Sequence, residues 1–177
     1  MRVSQDAGTA KFSNYDSAPV AIVSGGETMT LGRNEGAVVR SGEAPDQKVD
    51  VFGRPTLTEP ADNSIIYGAA AQLAWEDMPG QNGYWVEIAF DPRFDSMVDS
   101  KWGVPQNKIE NLALAPGAYY WRVAALDSLG LPGQMSAVRK FELINDSAPP
   151  FLRIRTPEPA AVLRESAVSI SGETEAG

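Results

Sequence analysis

The stretch GAYYWRVAALDSLGLPG, residues 117–133, decides the fold. In an extended chain Tyr119, Trp121, Val123 and Ala125 point one way and Tyr120, Arg122 and Ala124 the other. That alternation marks a strand with one buried side. The run ends in Leu131-Pro132-Gly133, a turn signal. The same period recurs on both sides of it. GYWVEIAF, residues 83–90, sets Tyr84, Val86, Ile88 and Phe90 against Trp85, Glu87 and Ala89. AAQLAWE, residues 70–76, brings Leu73 and Trp75 to one face, and VRKFELI, residues 138–144, does so with Phe141 and Leu143. Met78-Pro79-Gly80 and Ala115-Pro116-Gly117 punctuate the runs. Seven or so short strands in about 90 residues, each with one apolar face, predict an all-β sandwich over residues 55–144.

The flanks read as parts of further β domains. Within residues 1–45, TAKFSNY alternates at strand period, and short runs follow at Val20–Val23, Glu27–Leu31 and Gly36–Val39. Gly25-Gly26 and Asn34-Glu35-Gly36 separate them. Residues 46–54 are polar and carry glycine, as linkers do. NDSAPP, residues 145–150, predicts a second linker. Residues 151–177 begin another β domain, with Leu152, Ile154, Val162, Val168 and Ile170 in strand-like runs. One segment breaks the pattern. In FDPRFDSMVDSKW, residues 90–102, Asp91-Pro92 is a helix-start pair, and Phe94, Met97 and Val98 fall at helical spacing. One or two helical turns are expected there.

Composition excludes several chemistries. The chain has 177 residues, is 43% hydrophobic and carries a net charge of −8. That charge repels phosphate backbones and argues against nucleic-acid binding and against a polybasic membrane-surface role. It holds no cysteine and no histidine. Disulfides, thiolate nucleophiles, Cys-based zinc sites and a Ser-His-Asp triad are therefore impossible. No apolar run approaches the ~20 residues that span a bilayer. The N-terminal MRVSQDAGTAKF lacks the apolar core of a signal peptide. Met1 is thus expected to begin either a cytoplasmic protein or a piece of a longer exported one.

The middle segment resembles a fibronectin type III-like module. The residues that carry this are LAW (73–75), GYWVEIAFDPRF (83–94), LAPGAYYWRVAALDSLGLPG (114–133) and FEL (141–143). The resemblance covers about half of the chain. It implies that Trp75 is the buried tryptophan of the second strand and that Tyr119 sits at the tyrosine corner. The first segment, through TAKFSNYDSAPVAI and EGAVVRSGEAP, is similar to the C-terminal part of a FecR-type β domain. The PPF…SGETE region looks like the start of an Ig-like domain. This order is similar to that of bacterial envelope proteins. It implies export to the periplasm or cell surface, and neighbouring domains or envelope proteins as partners. The peptidoglycan-binding LysM segment that often precedes such a FecR domain is not in the sequence.

No set of residues emerges for catalysis, a cofactor or a metal. Asp91, Asp95 and Asp99 lack the wrapped-loop spacing of a calcium site and read as a cap and a solvated face. Asp127 reads as a turn-former at a strand end. Asp146 with Glu173 or Glu175 is a weak calcium arrangement at a junction. The candidate ligand or partner surface is the outward set: Trp85 and Glu87 on one strand, Tyr120 and Arg122 on its neighbour, and Trp102 at the margin. In the expected sheet Arg122 stacks on Trp85 and pairs with Glu87. Two readings follow. The set is a surface ladder that stiffens the sheet or meets a neighbouring domain, or it is an aromatic platform for sugar rings or a protein partner. The function expected is a non-enzymatic spacer or interaction module. The alternative is binding of peptidoglycan or another envelope glycan.

Overall fold

The computed structural model describes residues 1–6, 8–45, 47–144, 152–156, 167 and 169–174. They form sixteen strands, with no helix among the described residues. Met1–Asn145 make one compact unit and Asp146–Gly177 another.

The first unit begins with β1 (Arg2–Asp6), β2 (Thr9–Asn14), β3 (Val20–Ser24), β4 (Glu27–Leu31), β5 (Glu35–Arg40) and β6 (Lys48–Asp50). The short runs anticipated at residues 9–39 are strands; β1 and β6 are additional. Four of the strands make an antiparallel sheet in the order β1-β2-β5-β6, while β3 and β4 form a hairpin. Gly25 and Gly26, both at positive φ (58° and 82°), supply its two-residue turn, which side chains with a Cβ resist. Ile22, Leu31, Ala37 and Val39 close a small core, with Phe12 and Met29 packed on it. β6 lies inside the stretch read from sequence as linker and pairs with β5.

The sandwich follows: β7 (Leu57–Glu59), β8 (Ser64–Tyr67), β9 (Ala70–Trp75), β10 (Tyr84–Ala89), β11 (Met97–Val104), β12 (Lys108–Ala113), β13 (Gly117–Ala125) and β14 (Arg139–Ile144). A five-stranded sheet, β11-β10-β13-β14-β8, and a three-stranded one, β12-β9-β7, contribute to one core. The expected all-β sandwich is the fold. The core is the alternation read from sequence: Leu73 and Trp75, then Tyr84, Val86 and Ile88, then Tyr119, Trp121 and Val123, then Phe141 and Leu143, all buried. The Trp75 ring meets Tyr84 edge-on at 5.1 Å and lies 6.4 Å from Trp121. The Tyr119 hydroxyl donates to the Ala115 carbonyl at 2.6 Å, four residues upstream, as at a tyrosine corner. β8 pairs in parallel with β14, so the first strand of the sandwich is split between the two sheets. Arg139 secures the split, donating to the carbonyls of Leu57, Thr58 and Pro60.

Two expectations are corrected. Residues 91–99 hold no helical turn. The Asp91 carboxylate does accept backbone N–H groups, but those of Arg93, Asp95 and Ser96 in a tight loop. Phe94 stands at φ 63°, which stops a right-handed helix, and β11 starts three residues later. Phe90 is not inward either: it follows β10 and is 57% exposed, with its ring 5.4 Å from that of Tyr119.

In the second unit β15 (Leu152–Thr156) pairs antiparallel with β16 (Ser171–Thr174). The linker read at 145–150, and Val162 and Val168, lie outside the described residues.

Candidate functional site

The outward side of β10 and β13 is built but not bare. Trp85 is only 5% exposed. Trp102 of β11 covers it, with ring centres 5.2 Å apart, and the Trp85 Nε1–H donates to Ser100 Oγ at 2.9 Å. Ala124, Leu126 and Met135 pack with Trp85 in a satellite core. Beside it, Glu87 and Arg122 are register partners. The guanidinium donates to the carboxylate at 2.7 Å, and the carboxylate is almost wholly buried. Arg122 stacks on Phe94, 3.9 Å from the ring centre, rather than on Trp85 as sequence reasoning expected. The left-handed turn at Phe94 brings that ring over the sheet. Tyr120 pairs with Ala89 and Lys140, toward the other end of β10, and is half-buried. Of the five candidates, two couples are formed, Trp85–Trp102 and Glu87–Arg122. Only Trp102, 52% exposed, offers an open aromatic face.

A second constellation escaped the sequence reading. The loop after β13 folds around Asp127, whose carboxylate accepts the N–H groups of Leu129 at 2.9 Å and Leu131 at 2.7 Å. So the turn-former reading of Asp127 holds. This loop is a joint to the first six strands. The Tyr15 hydroxyl donates to Pro132 O at 2.7 Å, Ser13 Oγ to the same oxygen at 3.2 Å, and Lys11 Nζ to Gly130 O at 3.3 Å. Leu131 is fully buried. A Cβ at Gly36 would come within 3.1 Å of its side chain. Gln134 bonds across the joint through its backbone N–H to Phe52 O and through its side chain to Asn34 and Arg54. The available signal was LDSLGLPG itself, a loop with three leucines, which must be covered by something.

Beside the joint is a cavity of about 340 Å³, lined by Tyr15, Asp16, Arg33, Arg54, Gln134 and Met135 among others. Among the described residues three groups are shifted from their ordinary values. Backbone N–H bonds, first that of Ser96, hold Asp91 below the usual carboxylate range, and the Gly32 N–H and then Lys48 do the same for Glu35. Burial pushes the Tyr84 phenol up, helped by Asp77. Among the described residues no group of three acidic side chains is arranged to hold a metal ion. Glu173 pairs with Arg155, while Asp146 and Glu175 lie outside the described residues. No described helix is long and apolar enough to cross a membrane.

No protein-family profile matches the chain, and no curated protein matches it in sequence. Among solved structures it is similar to a fibronectin III-like protein from Clostridium thermocellum, at 21% identity and TM-score 0.38, over 50% of this chain and 97% of that one. It is also similar to the fibronectin(III)-like modules of CbhA from the same organism, at 16% identity and TM-score 0.42, over 70% and 64%. CopC from Methylosinus trichosporium OB3b matches at 15% and 0.35, over 54% and 98%. The sandwich described above rests on its own strand order and core.

Proposed function

We propose that this chain is a non-catalytic module of a bacterial cell-envelope protein. In this reading it spaces neighbouring domains and presents them in the periplasm or at the cell surface, its first six strands being the C-terminal part of a FecR-like β domain. The joint at Leu131–Gly133 is the observation that carries it. A spacer must transmit orientation, and a junction closed by a buried leucine and three side chains donating to loop carbonyls resists bending. Nuclear magnetic relaxation of the intact chain tests it. The first six strands and the sandwich are expected to tumble with one correlation time. Separate correlation times for the two would refute the spacer reading.

A second reading, glycan binding, draws on Trp102 alone: an open indole backed by Trp85 is a surface on which a sugar ring can stack. Sedimentation with insoluble peptidoglycan tests it. Retention that is lost in Trp102→Ala supports it, and equal retention of both proteins removes it.

A further inference from the structure

We infer that the cavity beside the joint is a binding site for a small carboxylate-bearing ligand, gripped by Arg33 and Arg54. The charges carry the argument. Acids outnumber bases in this chain, 23 to 15. Seven described cations find an acid: Arg40 with Glu43, Lys48 with Glu35, Arg93 with Asp95, Lys101 with Asp99, Lys108 with Glu110, Arg122 with Glu87 and Arg155 with Glu173, while Lys11 and Arg139 donate to backbone carbonyls instead. Arg33 and Arg54 do not. Neither has a carboxylate within ion-pair distance among the described residues, yet both line one cavity. Among the described residues Arg54 makes one side-chain bond, from Nε to Gln134 Oε1, at 3.2 Å. That leaves its terminal N–H groups available. Both side chains are exposed where they line the cavity, and a guanidinium presents a carboxylate with a forked pair of donors.

The remaining lining sets size and shape. About 340 Å³ lies at the lower end of small-ligand sites. Tyr15 and Met135 provide apolar wall. The Tyr15 hydroxyl is already committed to Pro132 O, so its ring is held in place. Asp16, whose carboxylate meets the Met1 amino group at 3.1 Å, disfavours a second negative charge on its own side. The fit is therefore a compact acid with its carboxylate toward the two arginines. Arg33 follows β4 and Arg54 precedes β7, so the ligand spans the joint and its occupancy would stiffen the contact between the first six strands and the sandwich. The inference does not depend on the spacer reading, since a flexible joint could also carry the site.

The probe is butyrate, a compact monocarboxylate, with neutral butyramide as its control, titrated into the intact chain by calorimetry and by amide chemical shifts. Saturable binding on the order of millimolar is expected for a few exposed charge-assisted bonds, with shifts centred on residues 15, 33, 54 and 135. Arg33→Gln and Arg54→Gln should each weaken it by roughly tenfold or more. Arg93→Gln, at an exposed position outside the cavity, should leave it unchanged. Among the described residues Arg33 makes no side-chain bond that its replacement would break, so a loss in that variant is not read as a folding defect. The inference is overturned by absence of saturable binding, by equal binding of butyramide, or by undiminished binding in either arginine variant. It is equally overturned if Arg93→Gln weakens binding as much, because the effect is then net charge alone.

Discussion

The Tyr15 hydroxyl and the Pro132 carbonyl lie 2.7 Å apart although 117 positions separate them in the chain. This bond fastens the first sheet to the loop that closes the sandwich, and Leu131 fills the space beside it.

Leu131→Ala should therefore destabilise both parts together. Removing a fully buried leucine costs about 2–5 kcal/mol. Urea unfolding is expected to show the loss, and amide exchange should rise in β2 and β5 as well as in the loop. Exchange that rises in the loop alone would mean the contact carries no stability.

Gly133→Ala attacks the same place by crowding. A Cβ there would come 2.5 Å from the Phe52 carbonyl oxygen and 2.8 Å from the Phe52 Cβ, so residues 52–53 must move. About 1–3 kcal/mol should be lost, as for other overpacked sites. A melting temperature equal to wild type would show that the linker yields freely.

Glu87 and Arg122 should behave as a unit. Arg122→Ala removes the cation that the nearly buried Glu87 carboxylate faces and should cost about 3–5 kcal/mol. Glu87→Gln with Arg122→Met together should cost much less, because both charges of the pair are removed at once. A double-mutant cycle in urea measures the difference, and additive losses would contradict the pairing.

Tyr84 predicts behaviour in alkali. Its phenol is raised above the ordinary value of about 10, chiefly by burial, so the folded state keeps its proton when the unfolded chain gives it up. The folded state then binds more protons than the unfolded one, and stability falls as pH rises past about 10. Tyr84→Phe should lose about 1 kcal/mol at neutral pH, from the bonds to Asp77 and the Met78 N–H, and should flatten the alkaline decline. Equal slopes for the two proteins would rule this out.

Asp91 gives the acid counterpart. The Ser96 N–H, followed by those of Arg93 and Asp95, holds its carboxyl below the usual range. Its contribution is present above about pH 4 and is lost as pH falls through the lower folded value. Asp91→Ala should lower the melting temperature at pH 6 and narrow the gap to wild type at pH 2. A gap that persists at pH 2 would assign the effect to something other than charge.

The core was legible because it depends on one period. Leu73 to Trp75, Tyr84 to Ile88 and Tyr119 to Val123 alternate without interruption, and each residue so read is buried. The outward side was not legible by the same rule, because alternation says which way a residue points and nothing about what arrives to cover it. Trp85 points outward and is buried all the same, since Trp102 and Met135 reach it from elsewhere in the chain. The misread helix has a similar cause. Asp91-Pro92 has the chemistry of a cap, and a tight loop can use it as well as a helix can. In this loop Phe94 stands in a left-handed conformation that a right-handed helix does not accommodate, and its ring lies over Arg122. The joint was hidden by its separation along the chain: nothing near Pro132 names Tyr15.

The Leu131–Gly133 loop also bears on inheritance. A recombination break between the first sheet and the sandwich would leave one offspring with bared leucine and the other with an unfilled groove. Either would be prone to clump or to be degraded. Selection would then favour breaks on the outer sides of the two parts, and they would travel between genes as a couple.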